Sequence, residues 1–366
     1  MGQSSKKKKT TYFDYSLLFI IIFLLGFGYV MLYSTSAYTA TLKLGDSAYY
    51  LKKQIAASIL GFVALIFLVK TDYHWLKGFA GPLYFVAFIM CTAVIFSGSS
   101  INGSSRWLYF GPLSVQPSEI AKVAIIIYLA TVISSSPKQM RDIRQVLKLL
   151  ATILPIFGVV AYTNLSTAII IMGIAFIMVF VANPDYVVFA LFIVGSVAAA
   201  GLFVLLESYR AKRILVWLHP EDYEEGYQTL QGLYAIGSGG LFGKGLGESM
   251  QKLFVPEATN DMIFSIICEE LGLFGAICLV VMYLILVWRF LYIANHAKDM
   301  FGSYLVIGIM THIALQVILN VAVVTNSIPN TGITLPFISY GGSSMAILIT
   351  EMGIALSVSK GMEFEA

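Results

Sequence analysis

Residues 15–35 have the sequence YSLLFIIIFLLGFGYVMLYST, and no side chain in this run is charged. The run is continuously apolar rather than alternating between apolar and polar residues, which is typical of a helix in an apolar environment. Its length matches the roughly 20 residues that a helix needs to cross the hydrocarbon core of a bilayer. Because similar runs recur along the whole chain, this stretch predicts a membrane span.

The overall composition agrees with many such spans. Hydrophobic residues make up 58% of the 366 residues and charged residues 12%, whereas soluble domains are ~45–50% apolar and ~25% charged. These proportions exclude a soluble enzyme, a disordered chain and a fibrous repeat, and the net charge of +3 gives no reason to expect a nucleic-acid partner. The three cysteines lie in apolar runs, so we expect neither a disulfide framework nor a clustered metal site.

A bilayer core offers no water to backbone amides, so continuous apolar spans are helices. We therefore predict an all-α, polytopic integral membrane protein. The first span is longer than a signal-peptide core and lacks a small-residue cleavage site, which favours an uncleaved anchor. The ten predicted spans are 15–35, 54–70, 78–97, 118–135, 146–162, 164–182, 186–206, 262–288, 301–325 and 341–358.

The distribution of lysine and arginine predicts the orientation. Four consecutive lysines, Lys6 to Lys9, precede the first span. With ten spans, thirteen basic residues fall on the side of the N-terminus, while the short loops of the other side carry four. We therefore expect both termini in the cytoplasm. Those four outer residues are Lys43, Lys52, Lys53 and Arg106.

Three segments hold most of the glycine, proline, serine and asparagine clusters, namely 98–117, 207–261 and 326–340. All three face outward in this topology, and the second, between spans 7 and 8, is far longer than an ordinary connection between helices. Long connections tend to be functional. We expect the chemistry of the protein at its outer surface.

The glycine-rich run from Gly237 to Gly247 looks like a phosphate loop but fails the known patterns. Ser238 stands where a Walker A motif needs its first glycine, and Gly245 instead of Ser or Thr follows Lys244. One interpretation is a flexible linker between outer helices. The other is a re-entrant or tightly turned segment whose backbone amides and Lys244 approach an anionic group.

Glu119 and Lys122 lie three residues apart at the start of the fourth span, and so on one helical face. A charge within a span often marks a functional pathway. The alternative is a mutual salt bridge at the helix mouth, with Ser118 as the N-cap and Glu119 in the first turn. A pair at the rim of a cavity can serve both purposes.

Asp261 stands at the outer mouth of the eighth span, directly before apolar residues. A half-desolvated carboxylate has a raised pKa and is a better base. The alternative is again an N-cap, because Asp is a favoured capping residue. Glu269 and Glu270 lie about two turns deeper, where burial costs more, so at least one should face the bundle interior or a cation.

Further cations are expected on the outer face. Arg106 and Trp107 lie in the second outer loop, between the third and fourth spans. Arg and Trp are also common at the membrane interface without a ligand. Outward cations close to carboxylates suit a pyrophosphate-linked lipid, because the cations hold the phosphates and a carboxylate accepts the proton. Lys252, Arg210 and Arg213 add to this set.

These motifs, in their order along the chain, resemble the SEDS family of shape, elongation, division and sporulation proteins. The residues that carry the resemblance are Asn102 to Trp107, Gln116 to Lys122, Gly226 to Gln228, Ala235 to Gly247, Gln251-Lys252, Pro256-Glu257, Asp261, Glu269 to Gly272, and Pro329 to Ser344. Within the family, Gln251-Lys252 and the ending Ser-Tyr-Gly-Gly-Ser-Ser resemble the division branch, or its sporulation relative, more than the elongation branch.

The resemblance implies one SEDS-type transmembrane domain over residues 1–366, with a basic cytoplasmic tail at 1–12 and a large extracytoplasmic loop at 207–261. It implies a glycosyltransferase that polymerises lipid II into peptidoglycan at the outer face of the bacterial cytoplasmic membrane. The resemblance to the division branch implies that it acts in cell division, at the septum. The expected partners are a class B penicillin-binding protein, which is the transpeptidase, and other division proteins.

The family's essential acidic residue falls on Asp261. An α-linked donor and a β-1,4 product mean one inversion, which needs a base on the acceptor hydroxyl and charge stabilisation at the pyrophosphate. Asp261 is the expected base. Whether a divalent cation, Mg²⁺ or Mn²⁺, also binds the pyrophosphate stays open. The candidates for substrate binding are Arg106, Glu119, Lys122, Lys244, Lys252 and Glu257.

The chain departs from the family pattern at two places. It has Asn260-Asp261-Met262 where Thr-Asp-Phe is common, which leaves the carboxylate intact. Asn164 replaces an aspartate before the sixth span, so no role is transferred to it. Two rival functions stay open: a lipid II flippase, which the charges of Glu119 and Lys122 also suit, and a scaffold that recruits the penicillin-binding protein. A flippase needs access from both faces, whereas the motifs here are almost all outward.

Overall fold

The computed structural model describes residues 12–97, 100–101, 104–110, 113–183, 190, 194–195 and 208–362. Two small antiparallel hairpins follow the third helix: β1 (Ser100–Ile101) pairs with β2 (Ser104–Ser105), and β3 (Leu108–Phe110) pairs with β4 (Leu113–Val115). The α-helices are α1 (Tyr15–Leu44), α2 (Tyr49–Lys70), α3 (Trp75–Ser97), α4 (Pro117–Ser135), α5 (Ile143–Thr163), α6 (Leu165–Ala182), α7 (Ser208–Leu218), α8 (Tyr227–Gly239), α9 (Ile263–Asn295), α10 (Met300–Val324) and α11 (Gly342–Ser359).

Within the described residues, nine helices are long and apolar enough to cross a membrane. They correspond to nine of the ten predicted spans, so the helical, polytopic architecture is confirmed. The predicted seventh span, 186–206, lies outside the described residues except at positions 190, 194 and 195. The first helix is longer than predicted: it continues past residue 35 to Leu44 and ends at Gly45, whose left-handed φ of 72° and N–H to Thr41 form a C-cap.

The start of α1 and the ends of α9 and α11 meet at one end of the bundle. Asp14 caps α1, and its carboxylate lies 2.5 Å from the guanidinium of Arg289 on α9. The backbone N–H of Asp14 donates to the hydroxyl of Ser359, the last residue of α11. Residues 14 and 359, near the two ends of the chain, therefore lie on one face of the bundle, which the distribution of lysine and arginine predicts to be the inner one.

The core lies around α4, α10 and α11, which have the largest buried shares among the spanning helices. Small residues let neighbouring helices of the bundle approach closely. A Cβ atom at Gly353 on α11 would lie 2.7 Å from the Cα of Leu65 on α2, and one at Gly61 would lie 2.9 Å from the Cβ of Ile349. The more peripheral helices α2, α3, α5 and α9 turn much of their surface to the lipid.

The predicted long outer loop contains helices. After α7, helix α8 runs alongside the first turns of α9 and in the same direction. A Cβ atom at Gly232 would collide with the side chain of Met262, and one at Gly239 would collide with the carbonyl oxygen of Cys268. The chain thus descends beside α9 and then returns outward to Asp261.

Helix α9 is broken at Gly272, which has φ 68° and ψ −171°. The glycine run after α8 fills the break with backbone hydrogen bonds. The amides of Lys244 and Gly245 donate to the carbonyls of Glu269 and Glu270, at 2.9 and 3.0 Å. Below the break, the amides of Leu273 and Phe274 donate to the carbonyls of Gly240 and Leu241, at 2.9 and 3.0 Å. This list of bonds describes a docked turn rather than a flexible linker.

The tight turn agrees with the second interpretation of the glycine run, and Lys244 does approach an anionic group, the carboxylate of Glu269. The backbone amides do not: those of Lys244 and Gly245 bind helix carbonyls that the break leaves without an intrahelical partner. The tight approach requires glycine, since a Cβ atom at Gly243 would collide with the carbonyl of Glu270. The run is a structural joint between α8 and α9.

Candidate active site at the outer end of α9

Asp261 lies just before α9, and only 6% of its surface is exposed. It does not cap the helix, because the N-cap position is Met262 and no side chain caps there. Its carboxylate instead faces the start of α8, where the side-chain amide of Gln228 donates to Oδ2 at 3.3 Å and to Oδ1 at 3.5 Å. The parallel course of α8 and α9 brings these two residues together.

Burial raises the pKa of the Asp261 carboxyl to about 7, and the negative charge of Glu257 acts in the same direction. The hydrogen bond from Gln228 and the positive charge of Arg106 favour the ionised form and limit the rise. A base is most effective when its pKa lies near the working pH. Asp261 is therefore suited to accept and release a proton near neutrality.

Asn320 on α10 fixes the backbone at Asp261. Its side chain is completely buried, and its amide Nδ2 donates at 2.7 Å both to the carbonyl of Asp261 and to the carbonyl of Ile333. One amide thus joins the start of α9, helix α10 and the segment before α11. Asn320 was not predicted from the sequence, although the polar side chains of His312, Gln316 and Asn320 recur every four residues in an otherwise apolar span and so share one face.

The segment before α11 supports the site from the other side. The hydroxyl of Ser339 donates to the carbonyl of Asn260 at 2.6 Å, and the amide of Tyr340 donates to the carbonyl of Thr259 at 2.8 Å. Gln54 on α2 holds this segment in turn, because its Nε2 donates to the carbonyl of Ser339 and its Oε1 accepts from the amide of Gly341, both at 3.1 Å. Gln54 was also not predicted from the sequence.

We expect Asn320→Ala to lower the turnover number for the reaction at Asp261 by tenfold or more, with a smaller change in KM. The reason is that an orienting bond is lost, and small misplacements of a reacting group are costly. The free energy of unfolding should fall by ~1–3 kcal/mol, because two buried carbonyls lose their donor. Steady-state kinetics and thermal unfolding measure both effects. Thr325→Ala, at an exposed position on the outer end of the same helix, is the control; an equal loss there would contradict the orienting role.

Glu119 and Lys122 form the ion pair that one of the two interpretations predicts. The Lys122 Nζ lies 2.7 Å from Glu119 Oε1, and both side chains are buried. Ser118 is not the cap; Gln116 is the N-cap, and Pro117 is the first helical residue. The pair lies inside the bundle, where a second buried pair, His312 with Glu351 at 2.9 Å, links α10 to α11. Neither Glu119 nor Lys122 is open to the outer surface.

Lys244 and Lys252 pair with the two carboxylates that lie above the break in α9. Lys244 Nζ lies 2.7 Å from Glu269 Oε1, and Lys252 Nζ lies 3.7 Å from Glu270 Oε1. Both carboxylates are fully buried. Their further donors come from the hydroxyl of Ser249 to Glu269 and from the hydroxyl of Ser34, at 2.7 Å, to Glu270. The two lysines therefore neutralise buried charges of the joint.

Arg106 is the cation whose charge acts on Asp261. Its side chain is half-buried and lines a small outer cavity together with Ser118 and Asn164. Glu257 is exposed, has a left-handed φ of 55° and accepts from the side-chain amide of Asn260. Asn164 caps α6, because its side-chain oxygen accepts the backbone N–H of Thr167.

Among the described residues, one group has the composition and spacing to hold a metal ion, namely His219, Glu221 and Asp222. Their ligand atoms lie within 4.8 Å of one another, but all three side chains are exposed. Exposed acidic groups are common without an ion, so this cluster does not by itself indicate a metal. It lies between α7 and α8 rather than beside Asp261.

Residues 15–363 match the model of the family described as "Cell cycle protein", which covers FtsW, RodA and SpoVE. The chain is 38% identical to stage V sporulation protein E of Bacillus subtilis, covering 96% of this chain and 98% of that protein. It is 37% identical to the probable peptidoglycan glycosyltransferase FtsW of Trichlorobacter lovleyi, covering 96% and 94%.

Two solved structures have the same fold. One belongs to a structure titled "Structural coordination of polymerization and crosslinking by a peptidoglycan synthase complex". The TM-score is 0.80 and the sequence identity is 26%, and the match covers 96% of this chain and 98% of the other chain. The other is the rod shape determining protein RodA of Thermus thermophilus, with a TM-score of 0.70, 26% identity and the same two coverages.

Proposed function

The chain belongs to the cell cycle protein family of FtsW, RodA and SpoVE, and from this premise we propose the reaction that its outer site performs. It is a peptidoglycan glycosyltransferase, an enzyme that joins the disaccharide units of lipid II into β-1,4 glycan strands. The names of the FtsW relatives and the peptidoglycan synthase neighbour support this activity. The observation that carries it in this chain is the buried Asp261, whose pKa is raised to about 7 at the outer end of α9.

Asp261 acts as the general base. It takes the proton from the acceptor sugar's 4-hydroxyl while the oxygen of that hydroxyl attacks C1 of the donor sugar. The bond from C1 to the pyrophosphate breaks, and the undecaprenyl pyrophosphate leaves with the electron pair. One displacement inverts the α-linked donor to the β-linked product, so no covalent enzyme intermediate is required. Gln228 and Asn320 orient the carboxylate through its side chain and its backbone.

Arg106 is the best placed of the proposed pyrophosphate ligands, because it lies at the outer surface and its charge reaches Asp261. Lys244 and Lys252 already pair with buried carboxylates. Moving either lysine to a phosphate would leave Glu269 or Glu270 buried without its cation, which is strongly unfavourable. Lys122 and Glu119 lie deeper in the bundle and contact a substrate only if it enters between α4 and α10. Glu257 is proposed to contact the substrate beside Asp261, where its negative charge also raises the pKa of the Asp261 carboxyl.

We propose a class B penicillin-binding protein as the transpeptidase partner and the division septum as the site of action. The similarity to a chain from a peptidoglycan synthase complex supports a partner that crosslinks what this chain polymerises. The similarity to FtsW and to a sporulation protein supports a role in division or in spore formation rather than in elongation.

The test is a polymerisation assay with the purified chain, its class B partner and labelled lipid II, analysed by the lengths of the glycan products on a gel. Polymer made by the purified proteins is the expected result. A thermal unfolding curve first shows that the protein is folded. If the folded protein then makes no polymer with the partner and divalent cations present, the proposal is contradicted and transport of lipid II is favoured.

The rate should depend on pH through Asp261. Because the base works only when ionised, kcat/KM should rise with pH and level off above an apparent pKa near 7. Glu257→Gln removes a negative neighbour that raises this pKa, so the midpoint should move to lower pH. Rate profiles from pH 5 to 9 for both proteins measure the shift. An unchanged midpoint in the variant would show that another group controls the profile.

A further inference from the structure

A groove at the inner end of the bundle lies far from the site described above. It is formed where α4 ends and α5 begins, with the short 3-10 turn Gln139–Arg141 between them, and its cavity volume is about 190 Å³. Tyr128 and Thr152 form its deep end, and Tyr84 of α3 closes it there, since its hydroxyl donates to the carbonyl of Thr152 at 2.5 Å.

The lining of the groove is amphipathic. Its apolar part consists of Tyr128, Val132, Met140 and Leu149. Its polar part lies at the inner rim and includes Gln139, Gln145 and Lys148. A ligand that fits both parts has an apolar portion and a polar, hydrogen-bond-accepting portion.

The rim and the turn beside it carry an excess of positive charge, and Lys148 itself lines the groove. Lys138, Arg141, Arg144 and Lys148 lie within eleven residues that include one carboxylate, Asp142. Asp142 accepts the amide of Arg144 as the N-cap of α5. Among the residues that the structure describes, none of the four cations is part of an ion pair.

Arg144 and Lys148 lie four residues apart on α5, so two like charges share one helix face. This arrangement destabilises a helix unless an anion lies between them. Retention of lysine and arginine on the inner side of a membrane protein accounts for the presence of positive charge. It does not account for a groove whose apolar part opens directly behind that charge.

We propose that this groove binds an anionic phospholipid of the cytoplasmic leaflet, with the phosphate at Arg144 and Lys148 and part of an acyl chain against Val132 and Leu149. The neighbouring lipid-facing residues of α5, Leu147 and Leu154, are more than half exposed, so the groove opens toward the bilayer. Basic pockets between helices on this side of a membrane protein suit such head groups. An acidic protein segment would fill the rim but not the apolar part.

The experiment measures lipids that remain bound to the purified full-length chain by native mass spectrometry, with titration of phosphatidylglycerol and phosphatidylcholine. We expect at least tenfold tighter retention of phosphatidylglycerol. The double variant Arg144→Gln/Lys148→Gln should lose at least tenfold of that retention. The matched control, Lys70→Gln/Lys77→Gln, removes two exposed lysines from the same membrane face outside the groove and should change retention less than twofold.

A groove-filling variant separates a site from diffuse attraction to the charged surface. Val132→Phe keeps every charge but fills the apolar part, and it should lower retention as much as the charge variant does. Thr152→Leu serves the same purpose if thermal unfolding shows that Val132→Phe is not folded. Equal losses in the Lys70/Lys77 control, or full retention in a folded groove-filled variant, would overturn the proposal. Displacement of the lipid by inorganic phosphate alone would also overturn it, because a bare anion site needs no acyl chain.

Discussion

Asp261→Asn is expected to lower the rate of lipid II polymerisation by ~10²–10⁴-fold or more, the range that a positioned general base contributes. Asparagine has nearly the same volume as aspartate, so the contact with Gln228 and the backbone bond from Asn320 can persist. An amide nevertheless does not accept the proton of the acceptor hydroxyl. The measurement is the initial rate of glycan formation by wild type and variant, each with the partner protein, at a pH above 7.

Stability distinguishes loss of the base from loss of the fold. Since the folded carboxyl has a pKa near 7, above its ordinary value near 4, the folded state binds the proton more tightly than the unfolded chain does. The stability of the wild type should therefore fall as pH rises from about 4 to 7. Asp261→Asn has no such group, so its thermal midpoint should change less over this range. Wild-type polymerisation by the folded variant would show that Asp261 is not the base.

Gly272→Ala is expected to destabilise the protein by ~3 kcal/mol or more and to abolish polymerisation. The φ of 68° with ψ of −171° belongs to a region that only glycine populates readily. A Cβ atom there would collide with the backbone amide of Gly243 and lie 2.6 Å from the carbonyl carbon of Leu241. The joint between α8 and α9 would open, and Gln228 and Asp261 would separate. Thermal unfolding and the glycan assay measure the two effects.

Two other glycines separate backbone strain from collision. Gly240 also has a positive φ, 59°, but a Cβ atom there meets nothing within 4 Å, so Gly240→Ala should cost only the strain of ~1–3 kcal/mol. Gly26 lies inside α1 with open space around it, so Gly26→Ala should stabilise by ~0.5–1 kcal/mol. Equal effects of Gly272→Ala and Gly240→Ala would mean that the packing of the joint does not matter.

The spans could be predicted from the sequence because the bilayer imposes their length and apolarity, which are local properties. Helix ends were harder to place. The first helix runs nine residues beyond its predicted end, because residues 36–44 are mixed in polarity and their helix ends only at Gly45. Local patterns also did not decide whether Glu119 pairs with Lys122 or whether Asp261 caps its helix. The structure has the pair and lacks the cap, since both depend on how neighbouring segments approach.

The glycine run and Asn320 show what local reasoning lacks. The run binds a break in a helix some thirty residues further along the chain. Nothing in the sequence of residues 240–247 indicates that this helix is the binding partner. Asn320 joins two segments that are distant in sequence, and its role follows from its two acceptors. A polar residue every fourth position in an apolar span was the available signal, and it indicates a buried polar face without saying what that face contacts.

The position of the break in α9 also affects how far the candidate active site lies from the hydrocarbon core of the bilayer. Below Gly272 the helix continues to Asn295, about 35 Å at 1.5 Å per residue, which suffices to cross the ~30 Å hydrocarbon core. With this lower part crossing the core, the residues between Asp261 and Gly272 are expected to place Asp261 roughly 15 Å outside it, rather than directly at the mouth of the span as the sequence predicts. A sugar that reacts there draws the first part of its lipid tail out of the bilayer, at a cost of about 0.8 kcal/mol for each CH₂ left in water. Leu241 and Phe242 are exposed at the level of the break, and we expect them to offer apolar surface to the tail where it leaves the bilayer.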